Sequence, residues 1–101
     1  MEFEFYNDAD TFGVRISGDL EYSVIQDCQP IMAEFKTATG KRFVVDLSRL
    51  ESIDSSGLGI LISVRSSAVR AGAEFIIKGA RNEVANLLTT ARFDVLATLV
   101  P

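Results

Sequence analysis

The sequence predicts an α/β domain, a mixed β-sheet covered by helices, on three observations. Two segments of alternating apolar residues open the chain around a turn-prone stretch, strand-like apolar runs then alternate with runs of helical periodicity, and 48% of the residues are hydrophobic. An opening hairpin followed by strand–helix alternation implies parallel strands joined by helical crossovers. At 101 residues the chain suffices for one hydrophobic core and is too short for two ordinary domains, so residues 1–101 are read as a single domain.

Each element has its own signal. Phe3, Phe5 and the run Val14-Arg15-Ile16 alternate at period two on either side of Asn7-Asp8-Ala9-Asp10, which predicts two antiparallel strands. After Gly18-Asp19, residues Val24, Ile25, Cys28, Ile31, Met32 and Phe35 recur at helical spacing, with Pro30 placed to kink or split the helix. Gly40 closes that region, and Phe43-Val44-Val45-Asp46-Leu47 has the mostly apolar composition of a central strand.

The next helix is expected from Ser55 or Ser56. At about 100° per residue its inward arc takes Leu58, Leu61, Ile62, Val64, Ala68 and Val69, with Ser63, Ser66 and Arg70 opposite. Arg65 falls inside the arc, its stem expected to pack while its guanidinium reaches solvent or an acid. Ile60 lies at the far margin and is expected to be exposed beside Ser55. Ala71-Gly72-Ala73 ends the helix, Phe75-Ile76-Ile77 makes a strand, and Val84, Leu87, Leu88 and Ala91 mark a third helix beginning after Gly79. With a short final strand within Val95 to Val100, the order is β-β-α-β-α-β-α and then β.

Composition narrows the function. A net charge of −4, with no clustered basic run, argues against nucleic acid as a partner. No apolar stretch approaches the ~18 residues of a membrane span, and Met1-Glu2-Phe3-Glu4-Phe5 lacks the basic start and apolar run of a signal peptide, so the expected compartment is the cytoplasm. The lone Cys28 is expected to be a small core residue. There is no histidine, which removes Ser-His-Asp chemistry, the usual proton shuttle and the commonest metal ligand. No Gly-rich loop with a lysine and no metal-ligand cluster compensates. The expectation is a domain that is not an enzyme, with no catalytic residues, cofactor or metal, and nothing that requires more than a monomer.

The string Asp54-Ser55-Ser56-Gly57-Leu58-Gly59 stands out. One reading is helix capping, in which a hydroxyl or carboxylate bonds an orphan N–H and contributes ~1 kcal/mol. Yet three capping-type residues stand in a row where one would suffice, and two glycines follow, each costing roughly 0.5–1 kcal/mol of helix stability relative to alanine. Close approach by another molecule is one reason to tolerate that cost. A serine here is accessible to a macromolecule and lies at the anion-favouring end of a helix.

Asp46-Leu47-Ser48 followed by Ile53-Asp54-Ser55-Ser56-Gly57-Leu58-Gly59-Ile60-Leu61 resembles the signature of the STAS-domain superfamily, specifically the bacterial anti-sigma factor antagonists. The likeness extends to the element order, to Gly18-Asp19-Leu20-Glu21 before the first helix and to Gly72-Ala73-Glu74-Phe75 before the following strand. The resemblance implies a STAS-like fold with Ser55 as phosphoacceptor and Ser56 as cap or secondary contact. It also implies an anti-sigma factor of serine-kinase fold that binds the unphosphorylated form, and a PP2C-type phosphatase that restores it. Asp19 and Glu21 resemble the acidic turn near that serine, or else form an ordinary N-terminal cap; Asp54 orients the Ser55 hydroxyl, contributes to the partner's active site, or caps backbone N–H groups. The expected partner-binding set is therefore Asp19, Glu21, Asp54, Ser55, Ser56, Gly57, Leu58, Gly59 and Ile60. The rival is a STAS subunit bound constitutively to a transporter or lipid-trafficking ATPase, which predicts no phosphorylation cycle.

Overall fold

The computed structural model describes residues 1–101. Strands β1 (Glu2–Asp8) and β2 (Thr11–Leu20) form the expected antiparallel hairpin, with Phe3 opposite Ile16 and Phe5 opposite Val14. Between β2 and the next strand, Pro30 divides the helical region as expected. A 3-10 segment over Tyr22–Cys28 gives way to helix α1 (Gln29–Thr37), and Pro30 sits in the first turn of α1, where its missing N–H leaves no bond unmade.

Strand β3 (Arg42–Ile53) is twelve residues long, well beyond the apolar run that announced it. Its extension is polar, Ser48-Arg49 and Glu51-Ser52, and is held by pairing with β2 as far as Leu20 opposite Ile53, across two register shifts. Helix α2 (Ser55–Ala71) follows and stops at Gly72, whose φ of 70° makes a left-handed cap. Strand β4 (Glu74–Lys78), helix α3 (Asn82–Thr90), a 3-10 turn over Phe93–Val95 and strand β5 (Thr98–Val100) complete the chain.

The sheet runs β1-β2-β3-β4-β5, parallel throughout except for β1. Each crossover advances one strand in the same direction, so right-handed connections put α1, α2 and α3 on one face. The buried side chains agree. Phe12, Val14 and Ile16 of β2, Phe43, Val45 and Leu47 of β3, and Phe75 and Ile77 of β4 join residues of all three helices in one core. Phe12, Phe35 and Phe43 meet there with ring centroids 5.0 to 6.3 Å apart. On the opposite face Arg15 bridges Glu4 and Asp46, at 2.9 and 3.2 Å, and the Tyr6 ring lies on Gly13, where a Cβ would strike it.

Helix α2 sits differently from the expected arc. Its buried residues are Gly57, Ile60, Leu61, Val64, Ser67 and Ala68, while Ile62 is 45% and Val69 63% exposed. Ile60, expected at the surface, is only 5% exposed. The helix is rolled toward Ile60 and Ser67 because it packs against α1 and the 3-10 segment as well as the sheet, so two neighbours define its inward side. Arg65 stays half-buried as expected, but its Nε donates to the Leu96 carbonyl at 3.2 Å in place of an acid or water.

Candidate functional site

The parallel strands place the Asp54 string at their C-terminal ends, where crevices and exposed loops collect in open α/β sheets. Asp54 follows β3 directly and is tied to the end of β2 by its N–H, which donates to the Leu20 carbonyl at 3.3 Å. It is the N-cap of α2 in extended conformation, its Oδ1 accepting from the Gly57 N–H at 3.0 Å. Its other oxygen, Oδ2, accepts from the Tyr22 N–H at 3.0 Å, at the start of the 3-10 segment. One carboxylate thus caps two helical starts. Those bonds, the Gly57 amide first and Tyr22 next, hold its pKa below the ordinary 3.8. Each oxygen thus accepts from a backbone amide, and capping is the role that the hydrogen bonds of Asp54 show.

Ser55 is the first residue of α2 and is exposed; Ser56 is half-buried behind it. The two glycines have different reasons. A Cβ on Gly57 would collide with the Leu20 carbonyl and come within 2.6 Å of Ile53 Cγ1, so the close approach that requires glycine here is made by the chain itself. A Cβ on Gly59 would meet nothing within 4 Å, and Gly59 is exposed. Leu58, between them, is half-buried against the core.

The acidic turn lies alongside. Asp19 is exposed and its Oδ1 accepts from the Ser52 hydroxyl at 2.6 Å, joining β2 to β3. Glu21 precedes the 3-10 segment but makes no side-chain cap; Asp54 accepts instead from the segment's first amide, that of Tyr22. Beyond Ser52 and Ile53 a groove of about 300 Å³ runs against α3, lined also by Glu83, Val84, Asn86, Leu87 and Thr90.

Of the nine expected residues, Asp19, Glu21, Asp54, Ser55, Ser56, Gly57, Leu58 and Gly59 gather at this one end of the sheet, whereas Ile60 turns into the core. Three residues of an accessible face were missed: Tyr22, 78% exposed and tethered beside Asp54 through its own amide, and Ile62 and Val69 along α2. The aromatic next to the acidic turn was a usable signal for Tyr22. Ile62 and Val69 gave the opposite signal, because an apolar residue on a helix reads as core.

The fold recurs in known proteins. A STAS-domain containing protein, PA14_20770, of Pseudomonas aeruginosa is 29% identical over 89 residues, covering 88% of this chain and 87% of that one. The crystal structure of a putative anti-sigma factor antagonist, TM1081 of Thermotoga maritima, superposes with a TM-score of 0.86 at 20% identity, covering 98% of this chain and 86% of that chain. A sulfate transporter family protein from Wolinella succinogenes has the same fold with a TM-score of 0.74 at 17% identity, covering 90% of this chain and 76% of the other. The family model described as Mlab, STAS domain, matches residues 5–101, and this chain, with an exposed serine at the head of α2, belongs to the STAS family.

Proposed function

We propose that this domain is an anti-sigma factor antagonist that works as a partner switch, binding an anti-sigma factor of serine-kinase fold while Ser55 is free and releasing it when Ser55 carries phosphate. The observation that carries this reading is Ser55 itself, exposed on the first turn of α2, next to a carboxylate held in place by two backbone amides. A kinase can reach such a hydroxyl without unfolding anything. Tyr22 beside it and Ile62 and Val69 along the same helix supply exposed apolar contact area for the partner.

Phosphate adds a charge of about −1.5 to −2. On the free domain the effect is small, since the first turn of a helix favours an anion. In a complex it is large: Asp19, Glu21 and Asp54 already make this end acidic, and a desolvated phosphate with no cationic partner costs enough to weaken binding a hundredfold for each ~3 kcal/mol. A PP2C-type phosphatase would reset the switch. The domain is then a substrate and a binding module with no catalysis of its own.

The test is phosphorylation by a cognate kinase with ATP, followed by site mapping and a binding assay. Ser55→Ala is expected to stay bound under kinase conditions, and Ser55→Glu to bind at least tenfold more weakly. Equal affinity of both variants and the wild type would overturn the switch; a phosphate on Ser56 would overturn the site.

A further inference from the structure

A second polar site lies away from Ser55, in the groove between α1 and α2. Along α2, Ser63, Ser66, Ser67 and Arg70 follow at i, i+3, i+4 and i+7 and so share one face. Lys36 closes the groove from α1, with Gln29 two turns before it. Two adjoining depressions of about 320 and 290 Å³ share Lys36, Ser63 and Ser67, and no residue lining either one is acidic. In a chain with fourteen acids against ten basic residues, two cations facing one groove without a carboxylate is a local inversion of charge.

Neither cation is committed. The four ion pairs of the chain involve Arg15, Lys41 and Arg92, not Lys36 or Arg70. Arg70 gives one N–H, from Nη2, to the Phe35 carbonyl at 3.3 Å, which positions the guanidinium and leaves its other donors free. Ser67 is only 8% exposed as a residue, yet it lines both depressions, and its hydroxyl oxygen is not left buried without a partner. A groove lined by serines between a lysine and an arginine, with no carboxylate, fits an anion with several acceptor oxygens.

We propose that this groove binds a phosphate group, with Lys36 and Arg70 supplying charge and the Ser63, Ser66 and Ser67 hydroxyls supplying hydrogen bonds. The site is distinct from the head of the helix. Ser63 lies eight residues beyond Ser55, about 12 Å along α2. The inference stands whether or not Ser55 is a phosphoacceptor.

The test is an amide NMR titration of the full chain with inorganic phosphate at constant ionic strength, in wild type, Lys36→Ala/Arg70→Ala and Ser55→Ala. Saturable shifts at Lys36, Ser63, Ser66, Ser67 and Arg70 are expected, unchanged in Ser55→Ala and weakened at least tenfold in the double variant. The exposed positions of Lys36 and Arg70 let that variant fold, which its spectrum verifies directly. A parallel flotation assay with phosphatidic acid vesicles, against phosphatidylcholine alone, separates the sources. Flotation lost in the double variant assigns the phosphate to a lipid headgroup, and shifts without flotation assign it to a soluble ligand. Shifts confined to Ser55–Gly57, or equal in wild type and double variant, would overturn the proposal.

Discussion

Asp54 and the two glycines after it are separable by substitution. Removing the carboxylate in Asp54→Ala uncaps α2 and the 3-10 segment together, so a lower midpoint is expected in urea denaturation. Gly57→Ala puts a methyl into the Leu20 carbonyl, and backbone cannot yield as a side-chain tip would; a loss of more than about 1 kcal/mol is expected. Gly59→Ala has the opposite sign. With open space around the Cβ and a helical backbone, it should stabilise by roughly 0.5–1 kcal/mol. If Gly59→Ala retains stability but weakens the partner, the glycine is reserved for an approaching molecule.

Helix α2 divides its surface between the core and the outside. Its buried face is turned toward α1 and the 3-10 segment as well as the sheet, and this leaves Ile62 and Val69 on the surface. Neither holds the fold. Ile62→Asp and Val69→Asp should therefore change the thermal midpoint little, while lowering affinity for the proposed anti-sigma partner at least tenfold, measurable by calorimetric titration. Leu61, fully buried one residue earlier on the same helix, provides the contrast: Leu61→Ala should cost about 2–5 kcal/mol of stability.

Across the whole molecule, two carboxylates tie strands and helices together, and both titrate low. Burial pushes the Asp46 carboxyl up, but bonds from the Ser48 hydroxyl and amide and from the Arg15 guanidinium outweigh it and hold it below 3.8, as the capped amides hold Asp54. A carboxyl with a depressed folded-state pKa stabilises the fold above its unfolded value, near 3.9, and that contribution disappears as pH falls through the folded value. Thermal midpoints should thus stay level from pH 7 to about 5 and drop below about 4. Asp54→Asn, lacking one of the two groups, should start lower at neutral pH and converge on the wild type in acid.

Much of this architecture is legible in the chain because local chemistry is sufficient for it. Alternating Phe3 and Phe5, the split at Pro30 and the stop at Gly72 are each set by backbone and side-chain preferences that act over a few residues. The string from Asp54 to Gly59 marked a helix start by the same logic, and its excess of capping residues and glycine singled out the candidate site. The direction each residue faces was decided elsewhere. Gly57 is needed because the Leu20 carbonyl comes to it from β2, and Asp54 caps a second segment because the Tyr22 amide comes to it. Ile60 goes inward and Ile62 outward because α1 and the 3-10 segment flank the helix on one side. The sequence by itself determined where the serine stands, since a helix start is local; only the packing of distant segments decided what surrounds it, since burial belongs to the assembled core.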